Sequence, residues 1–189
     1  LSIPHTNQLF QHQRFGNKSH LLFSRPPLLI ETCIKEVCLG ILNLHLRSMR
    51  GIRGNSGKRI KLKRRQQAER LANWIENFQK DNPAQYLIIL GDLNALKPPD
   101  QYVDVVGILT GTPNNRKTEL KGADLITSNL WDFTERIPIK SRFSYRYRGQ
   151  NQQLDYLLGS QSLQHSLTHI QFTDIDRSIS DHAALVARF

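Results

Sequence analysis

Two short polar motifs each stand beside an apolar run long enough for one buried strand. Gly91-Asp92-Leu93-Asn94 follows the apolar residues 87–90, and Ser180-Asp181-His182 precedes the apolar residues 183–186. Apolar runs of this length are typical of buried strands, and open α/β sheets place their sites where such strands end. Carboxylate, amide and imidazole groups brought together there could activate a water molecule and hold a metal ion.

Two further strand patterns carry polar residues of the same types. Residues 40–46 are predominantly apolar and carry His45 near their end, and residues 154–158 carry Asp155. These two segments fit the same picture of polar chemistry beside buried strands. The four segments together predict one site that is built from strand ends.

The order of these four motifs along the chain resembles the endonuclease/exonuclease/phosphatase superfamily, whose members resemble DNase I and the abasic-site endonucleases. The motifs are Asn-x-His-Leu, Gly-Asp-x-Asn, Leu-Asp-Tyr and Ser-Asp-His, at residues 43–46, 91–94, 154–156 and 180–182. Residues 22–28 also resemble the Leu-Ser-Arg-x-Pro segment of that family. Residues 145–150, ahead of Leu154-Asp155, look closer to its bacterial extracellular-nuclease branch. The resemblance runs from about Phe15 to Phe189.

The resemblance implies an α/β fold, namely a DNase I-like layered sandwich of two β-sheets flanked by helices, in a single domain over residues 1–189. It also implies divalent-metal-dependent hydrolysis of phosphodiesters, with Mg²⁺ or alternatively Mn²⁺. The catalytic residues at matching positions are His45, Asp92, Asn94, Asp155 and His182, and the metal ligand is Asp181.

The resemblance also implies a role for each side chain of this set. Asp92 would orient or deprotonate the water, and Asn94 would hold that water or a phosphate oxygen. Asp155 would hold the imidazole of His182 in the correct tautomer. His182 would donate to the phosphate or exchange a proton with the water, and His45 would stabilise the pentacovalent phosphate.

One family feature has no matching position in this sequence. The principal metal-binding Glu of the family precedes the Leu-Ser-Arg-x-Pro segment, whereas Glu31 and Glu36 both follow it here. The chain also begins at Leu1 rather than at Met. We therefore expect it to correspond to about the C-terminal two-thirds of the family domain, and to be inactive or weakly metal-bound as given. The sequence does not predict the compartment or the oligomeric state.

The charge of the chain is strongly basic and unevenly distributed. The formal net charge is +10, and residues 47–70 carry ten Arg and Lys against one Glu. Such a cluster attracts polyanions, although a solvated, flexible basic loop has the same composition. The candidate nucleic-acid contacts are Arg47, Arg50, Arg53 and Arg59. Tyr and Arg alternate over residues 145–148, which fits either base stacking with phosphate contacts or an exposed strand face.

The basic cluster favours a nuclease among three candidate functions. The alternatives are a phosphatase or phospholipase of the same superfamily, acting on inositol phosphates or sphingomyelin, and an inactive nucleic-acid-binding module. DNA and RNA, and endo- and exonucleolytic cleavage, are not distinguished. No apolar run reaches the roughly 18 residues that a membrane span requires.

The elements that must position these residues follow from periodicity. Apolar residues at 68, 71, 72, 75 and 78 predict a helix that starts near Ser56 and stops at Asp81-Asn82-Pro83. The other predicted elements are strands at 86–90 and 167–172, helices within 100–109 and 123–133, a hairpin of 143–147 with 153–158, and loop or frayed chain over residues 1–17. Asp132 would either match a family aspartate or serve the end of the second of these helices.

The two cysteines lie on a predicted hairpin. Residues 30–34 and 37–42 alternate as strands joined by Lys35-Glu36, and this loop sets Cys33 opposite Cys38. The pair is close enough for a disulfide, and two reduced cysteines packed in a strand are equally compatible with the sequence.

Overall fold

The computed structural model of the protein describes residues 4–16 and 20–189. Its centre is a six-stranded mixed sheet with the strand order β1-β4-β5-β6-β10-β7. The strands are β1 (His5–Gln8), β2 (Arg14–Phe15), β3 (His20–Leu21), β4 (Leu28–Ile34), β5 (Val37–His45), β6 (Tyr86–Asp92), β7 (Leu130–Asp132), β8 (Tyr145–Tyr147), β9 (Gln150–Gln152), β10 (Asp155–Ser160), β11 (His169–Thr173) and β12 (Ala184–Arg188); the helices are α1 (Gly57–Asp81) and α2 (Val105–Thr110), and 3₁₀ turns lie at Phe133–Arg136, Ile139–Ser141 and Gln161–His165.

The hairpin of β4 and β5 has the predicted register. Ile34 pairs with Val37 across the Lys35-Glu36 loop, and Cys33 pairs with Cys38. The two sulfur atoms form a disulfide, which decides between the two alternatives that the sequence left open.

Strands β5 and β6 are parallel neighbours, and α1 is the crossover between them. A parallel pair requires such a connection, since its strands run in the same direction. The apolar stripe of α1 is buried, as its spacing predicts, and the helix ends at Asp81. Because parallel strands run in the same direction, the carboxyl ends of β5 and β6 lie at the same end of the sheet.

The sheet is covered on both faces, which makes the fold a layered sandwich. Successive strand residues point to opposite faces, so Leu87 and Ile89 join the core beneath the helices while Ile88 joins a second core. On that second side the core includes Leu157, and Leu185 of the two-stranded sheet β11–β12 packs against it. The α/β class and the DNase I-like layered sandwich are confirmed.

Two predicted elements differ from the structure. Residues 123–133 do not form a helix, because Leu130–Asp132 instead pairs as β7 with the edge of β10. The predicted hairpin of 143–147 with 153–158 does not form as such, because β8 pairs with β9 and β10 pairs with β6. Tertiary pairing thus overrides the local pattern in both places.

The chain ends and the second helix also differ. His5–Gln8 is a strand paired with β4, whereas residues 1–17 were expected to be loop or frayed; residues 1–3 and 17 lie outside the described part of the chain. Helix α2 is shorter than the predicted 100–109. The Asp100 carboxylate accepts from the backbone N–H groups of Tyr102 and Val103, which holds a turn there, and Asp104 caps α2 by accepting from Gly107 N–H. No helix within residues 4–16 or 20–189 combines the length and the apolarity that crossing a membrane requires.

Candidate active site

Three adjacent strands bring their polar ends to the same point of the sheet. His45 is the last residue of β5, Asp92 the last of β6 and Asp155 the first of β10. Asp92 is the direct partner of His45 on one side and of Asp155 on the other. Directly paired residues have neighbouring side chains on the same face. The sheet register therefore places an imidazole and two carboxylates side by side.

The turn after β6 holds Asp92 in place through Asn94. The backbone N–H of Asn94 donates to Asp92 Oδ1 at 2.8 Å, and Asn94 Nδ2 donates to Asp92 Oδ2 at 2.7 Å. Asn94 has a φ of 49°, in the left-handed region that Asn tolerates better than most residues. Gly91 has a φ of 120°, and a Cβ there would collide with the carbonyl of Leu44. The backbone conformation thus favours glycine at 91 and asparagine at 94, independently of any role of these residues in the site.

The loop before β12 adds His182 to these strand ends. His182 Nδ1 lies 2.6 Å from Asp155 Oδ2, so the predicted hydrogen bond between them is confirmed. The backbone N–H of Ala183 donates to the Ser144 carbonyl at 2.7 Å, and Ser144 Oγ accepts from the N–H of Asp155 at 3.2 Å. The Tyr145 ring lies 4.9 Å from the imidazole of His182. Ser144 consequently holds the strand end and the loop together.

The environment of Asp92 makes its carboxyl group a better base. Burial raises the pKa of Asp92, and the negative charge of Asp155 raises it further. The N–H of Asn94 and the charges of His45 and His182 oppose this shift without cancelling it. His45 Nε2 lies 3.4 Å from Asp92 Oδ2. A carboxylate with a raised pKa accepts a proton more readily near neutral pH.

The environment of His182 favours its protonated form. Burial acts to lower the pKa of His182, but the hydrogen bond and charge of Asp155 outweigh it, with help from Asp92 and Asp181. The net pKa is raised from the ordinary value of 6.5. His182 can therefore donate a proton over a wider pH range than a free histidine.

Asp181 is exposed at the rim of this site. Within the described residues no group donates a hydrogen bond to its carboxylate, and no cluster of three or more His, Cys, Asp and Glu side chains there is arranged to hold a metal ion. Mg²⁺ commonly binds through one or two carboxylates while keeping several waters. The donor set thus fits a largely hydrated Mg²⁺ and does not fit a closed metal centre.

Arg64 supports the site from α1, although the sequence placed it among the polyanion-attracting residues. Its guanidinium is 1% exposed, pairs with Asp100 at 3.0 Å, and donates to the carbonyls of Arg47 and Asn94 at 2.7 Å each. It ties the chain after β5 to the turn after β6. Its position four residues after the buried Ile60 and four before Ala68, on the apolar stripe, was the available signal.

The four candidate nucleic-acid contacts have different environments. Arg47 is half-buried and donates to the Arg50 carbonyl at 3.3 Å. Arg53 donates to the Tyr102 hydroxyl at 3.2 Å. Arg50 and Arg59 are exposed. These contacts place Arg47 beside Arg50 and Arg53 beside Tyr102, whereas the side chains of Arg50 and Arg59 are open to solvent.

Asp132 lies at the start of a 3₁₀ turn and not in the catalytic cluster. Its carboxylate accepts from the backbone N–H of Thr134 at 3.1 Å and pairs with Lys97 at 3.0 Å. Asp132 thus caps the start of this 3₁₀ turn, and the 123–133 helix that it was expected to end does not form.

Solved structures with the same fold include two groups of proteins. TDP2 from Caenorhabditis elegans matches over 97% of this chain and 48% of its own, at 18% identity and a TM-score of 0.56. A truncated form of that protein matches over 97% and 64%, at a TM-score of 0.57. The 3′ phosphatase NExo from Neisseria, bound to a product DNA hairpin, matches over 98% and 70%, at 15% identity and a TM-score of 0.56.

These likenesses concern the fold. The chain spans about half to two-thirds of the length of the TDP2 structures that it matches. No protein-family model and no curated protein sequence matches the chain.

Proposed function

We propose that this chain carries the catalytic residues of a phosphodiester hydrolase that acts on nucleic acid. The observation that carries the proposal is the contact of 2.6 Å between His182 and Asp155, beside the partnered Asp92 and His45. A carboxylate-oriented histidine next to a carboxylate of raised pKa supplies both a proton donor and a proton acceptor. Membership of the endonuclease/exonuclease/phosphatase superfamily is part of this proposal, and the shared fold and the four motifs support it.

Asp92 is the proposed acceptor of the water proton. Asn94 holds its two carboxylate oxygens in place through the two hydrogen bonds described above, so the orientation of Asp92 is fixed before substrate binds. Preorganisation of this kind lowers the entropic cost of reaching the transition state. His45, within 3.4 Å of the same carboxylate, lies where it can donate to a phosphoryl oxygen.

His182 is the proposed proton donor to the phosphate. Asp155 occupies Nδ1, so Nε2, on the other side of the ring, is left for the substrate. The raised pKa of His182 keeps this nitrogen protonated at neutral pH more than in a free histidine. Donation to the phosphate stabilises the charge that develops on its oxygens.

A divalent cation is proposed as the cofactor, with Mg²⁺ preferred and Mn²⁺ accepted. Asp181 is the residue of this chain that would hold it, because its carboxylate is exposed and receives no hydrogen bond from the described residues. When bound, such an ion would supply positive charge close to the phosphoryl oxygens.

The basic surface beside the site supports a polyanionic substrate. Burial lowers the pKa of Lys63, and the nearby positive charges of Arg47 and Arg59 lower it further. Lys63 also donates to the Leu21 carbonyl at 2.9 Å, which fixes it next to β3. A bound phosphate would relieve the repulsion among these three cations. Arg50 and Arg53 extend the same surface, and we propose all four arginines of the candidate set as phosphate-backbone contacts, with DNA or RNA as substrate.

The replacement His182→Ala tests the function. We expect cleavage of a single-stranded DNA or RNA oligonucleotide with Mg²⁺ present to fall by on the order of 10²-fold or more, because a proton donor is lost. His169→Ala, at an exposed histidine of β11, is the matched control and should leave cleavage unchanged. Inositol phosphates and sphingomyelin serve as competing substrates. Equal and measurable turnover by the two variants would exclude the proposed mechanism, and preferential hydrolysis of a small phosphate would exclude the nucleic-acid substrate.

A further inference from the structure

A cavity of about 330 Å³ opens beside the catalytic histidine. It lies between the segment that enters the β8–β9 hairpin and the loop that leads to β12. The residues that line it include Phe143, Tyr145, Arg146, Asp174, Arg177 and Asp181, and His182 forms part of the wall. A group seated in this cavity would be in direct contact with the imidazole of His182.

The wall on the hairpin side presents ring faces and a guanidinium. The Arg146 guanidinium lies 5.3 Å from the centre of the Phe143 ring. Tyr145 packs against His182 at 4.9 Å and so continues the aromatic wall to the catalytic group. Flat aromatic and guanidinium surfaces stack on nucleobases, since every base has a π-face.

The charges around this cavity argue against a site for phosphate alone. Two arginines, Arg146 and Arg177, and two carboxylates, Asp174 and Asp181, line the cavity, and His182 adds a positive charge to one wall when it is protonated. At the cluster of Arg47, Arg59 and Lys63, burial lowers the pKa of Lys63 and the positive charges of Arg47 and Arg59 lower it further. The cavity therefore suits a neutral planar group that carries N–H and carbonyl edges, and the basic cluster suits the anionic backbone.

We infer that this cavity is a subsite for the nucleobase of the nucleotide whose phosphate is hydrolysed. The inference rests on the proposed function and adds to it a reason for preferring nucleotides over simple phosphates. The base would stack against Phe143 and Arg146, and this would set its phosphate next to His182. The volume matches the size expected of a pocket for a small ligand at the lower end of the usual range, roughly 300 Å³.

The test compares two ligands that differ only in the base. Adenosine 5′-monophosphate and ribose 5-phosphate share the sugar and the phosphate, and their dissociation constants are measured by titration calorimetry. We expect the nucleotide to bind roughly 5- to 150-fold more tightly, the range that stacking of one base provides. Arg146→Ala and Phe143→Leu should each bring this ratio toward one.

Arg148→Ala is the matched control on the same hairpin. The Arg148 guanidinium lies 5.4 Å from the Tyr147 ring and does not line the cavity. This variant should keep the full preference for the nucleotide. The inference is overturned if the two ligands bind equally to the unaltered protein, or if Arg148→Ala reduces the ratio as much as Arg146→Ala does.

The outcome is separable from that of the proposed function. Oligonucleotide cleavage by His182→Ala reports on the function, and the ratio of the two dissociation constants reports on the subsite. If the ratio is one while His182→Ala loses cleavage, the subsite is wrong and the function stands. If the ratio is high and responds to Arg146→Ala while His182→Ala cleaves normally, the mechanism is wrong and the cavity still binds a base.

Discussion

The two halves of the candidate site are built in different ways. His45, Asp92 and Asp155 end three strands of the central sheet, and backbone pairing fixes their relative positions. Asp181 and His182 belong to a loop before β12, which reaches the site through side-chain and single backbone contacts. The strand-end half can therefore be placed from register alone, whereas the loop half depends on each of its few contacts.

This difference separates two ways of positioning side chains at the candidate site. A sheet holds side chains at fixed spacing at little cost, because ladder hydrogen bonds already order its backbone. A loop can bring a group to the substrate from another direction, but each contact that orders it must offset lost conformational entropy. Ser144 contacts both halves, through its hydroxyl to Asp155 and its carbonyl to Ala183.

The largest effect should follow from Asp92→Asn in the strand-end half. The amide keeps the shape of the side chain and cannot accept the water proton, so we expect kcat/KM for an oligonucleotide to fall by about 10²- to 10⁴-fold. The amide nitrogen cannot accept a hydrogen bond from Asn94, so one of the two hydrogen bonds from Asn94 is also lost and the unfolding midpoint should fall. Asp124→Asn, at an exposed aspartate away from the site, is the control. Retention of most activity by Asp92→Asn would show that the acceptor lies elsewhere.

Asp155→Asn should give the next largest effect, because it removes the contact between the two halves. The pKa of His182 is raised by Asp155, so the proton that His182 carries is lost at lower pH in the variant. We expect kcat/KM to fall by about 10- to 100-fold at neutral pH, and its alkaline limb to move to lower pH. If the alkaline limb of the kcat/KM profile does not move, it is set by the ionisation of a group other than His182.

The same variant has a signature in stability. Because the pKa of His182 is higher in the folded protein than in the unfolded chain, its protonation stabilises the folded protein at pH values below the unfolded-state pKa. This stabilisation is lost as the pH rises through the folded-state pKa. The difference in unfolding midpoint between the unaltered protein and Asp155→Asn should therefore be larger near pH 6 than near pH 9. A difference independent of pH would indicate lost packing instead.

Asp181→Asn should have a smaller effect, which a higher metal concentration overcomes. We expect EDTA to stop cleavage and Mg²⁺ to restore it, with the variant requiring on the order of tenfold more Mg²⁺ because one ligand charge is lost. Binding of Mn²⁺ followed by electron paramagnetic resonance gives a second readout that does not depend on turnover. An unchanged Mn²⁺ affinity would exclude Asp181 as the ligand.

The smallest effect is expected from Ser144→Ala, which weakens the link between the halves without touching a reacting group. Leu154 and Asp155 would each lose the acceptor for their backbone N–H, so the free energy of unfolding should fall by about 1 to 3 kcal/mol. Denaturant unfolding measures this, and Ser162→Ala at an exposed serine is the control. If the two variants are equally stable, the Ser144 hydroxyl does not hold the start of β10.

Much of the framework follows from local sequence patterns. The helical stripe of α1 predicts its element because burial of one helix face leaves a helical period in the sequence. The apolar residues of β6 predict a strand because burial of both of its faces leaves a short continuous apolar run. The segment 123–133 misleads, since a helix-like pattern there is overridden when Leu130–Asp132 pairs with the edge of β10. Pairing between residues distant along the chain has no local signal, and the same is true of the partner of β8.

The sequence by itself determined which residues form the candidate site and the order in which they occur. Gly91 and Asn94 are also determined locally, since a left-handed turn favours these two residue types. The tertiary structure alone decided that Arg64 is a buried support rather than a surface cation, and that a cavity opens beside His182. Residue types determine which chemistry is available. The burial of these side chains and the distances between them depend on contacts between segments that only the folded chain brings together.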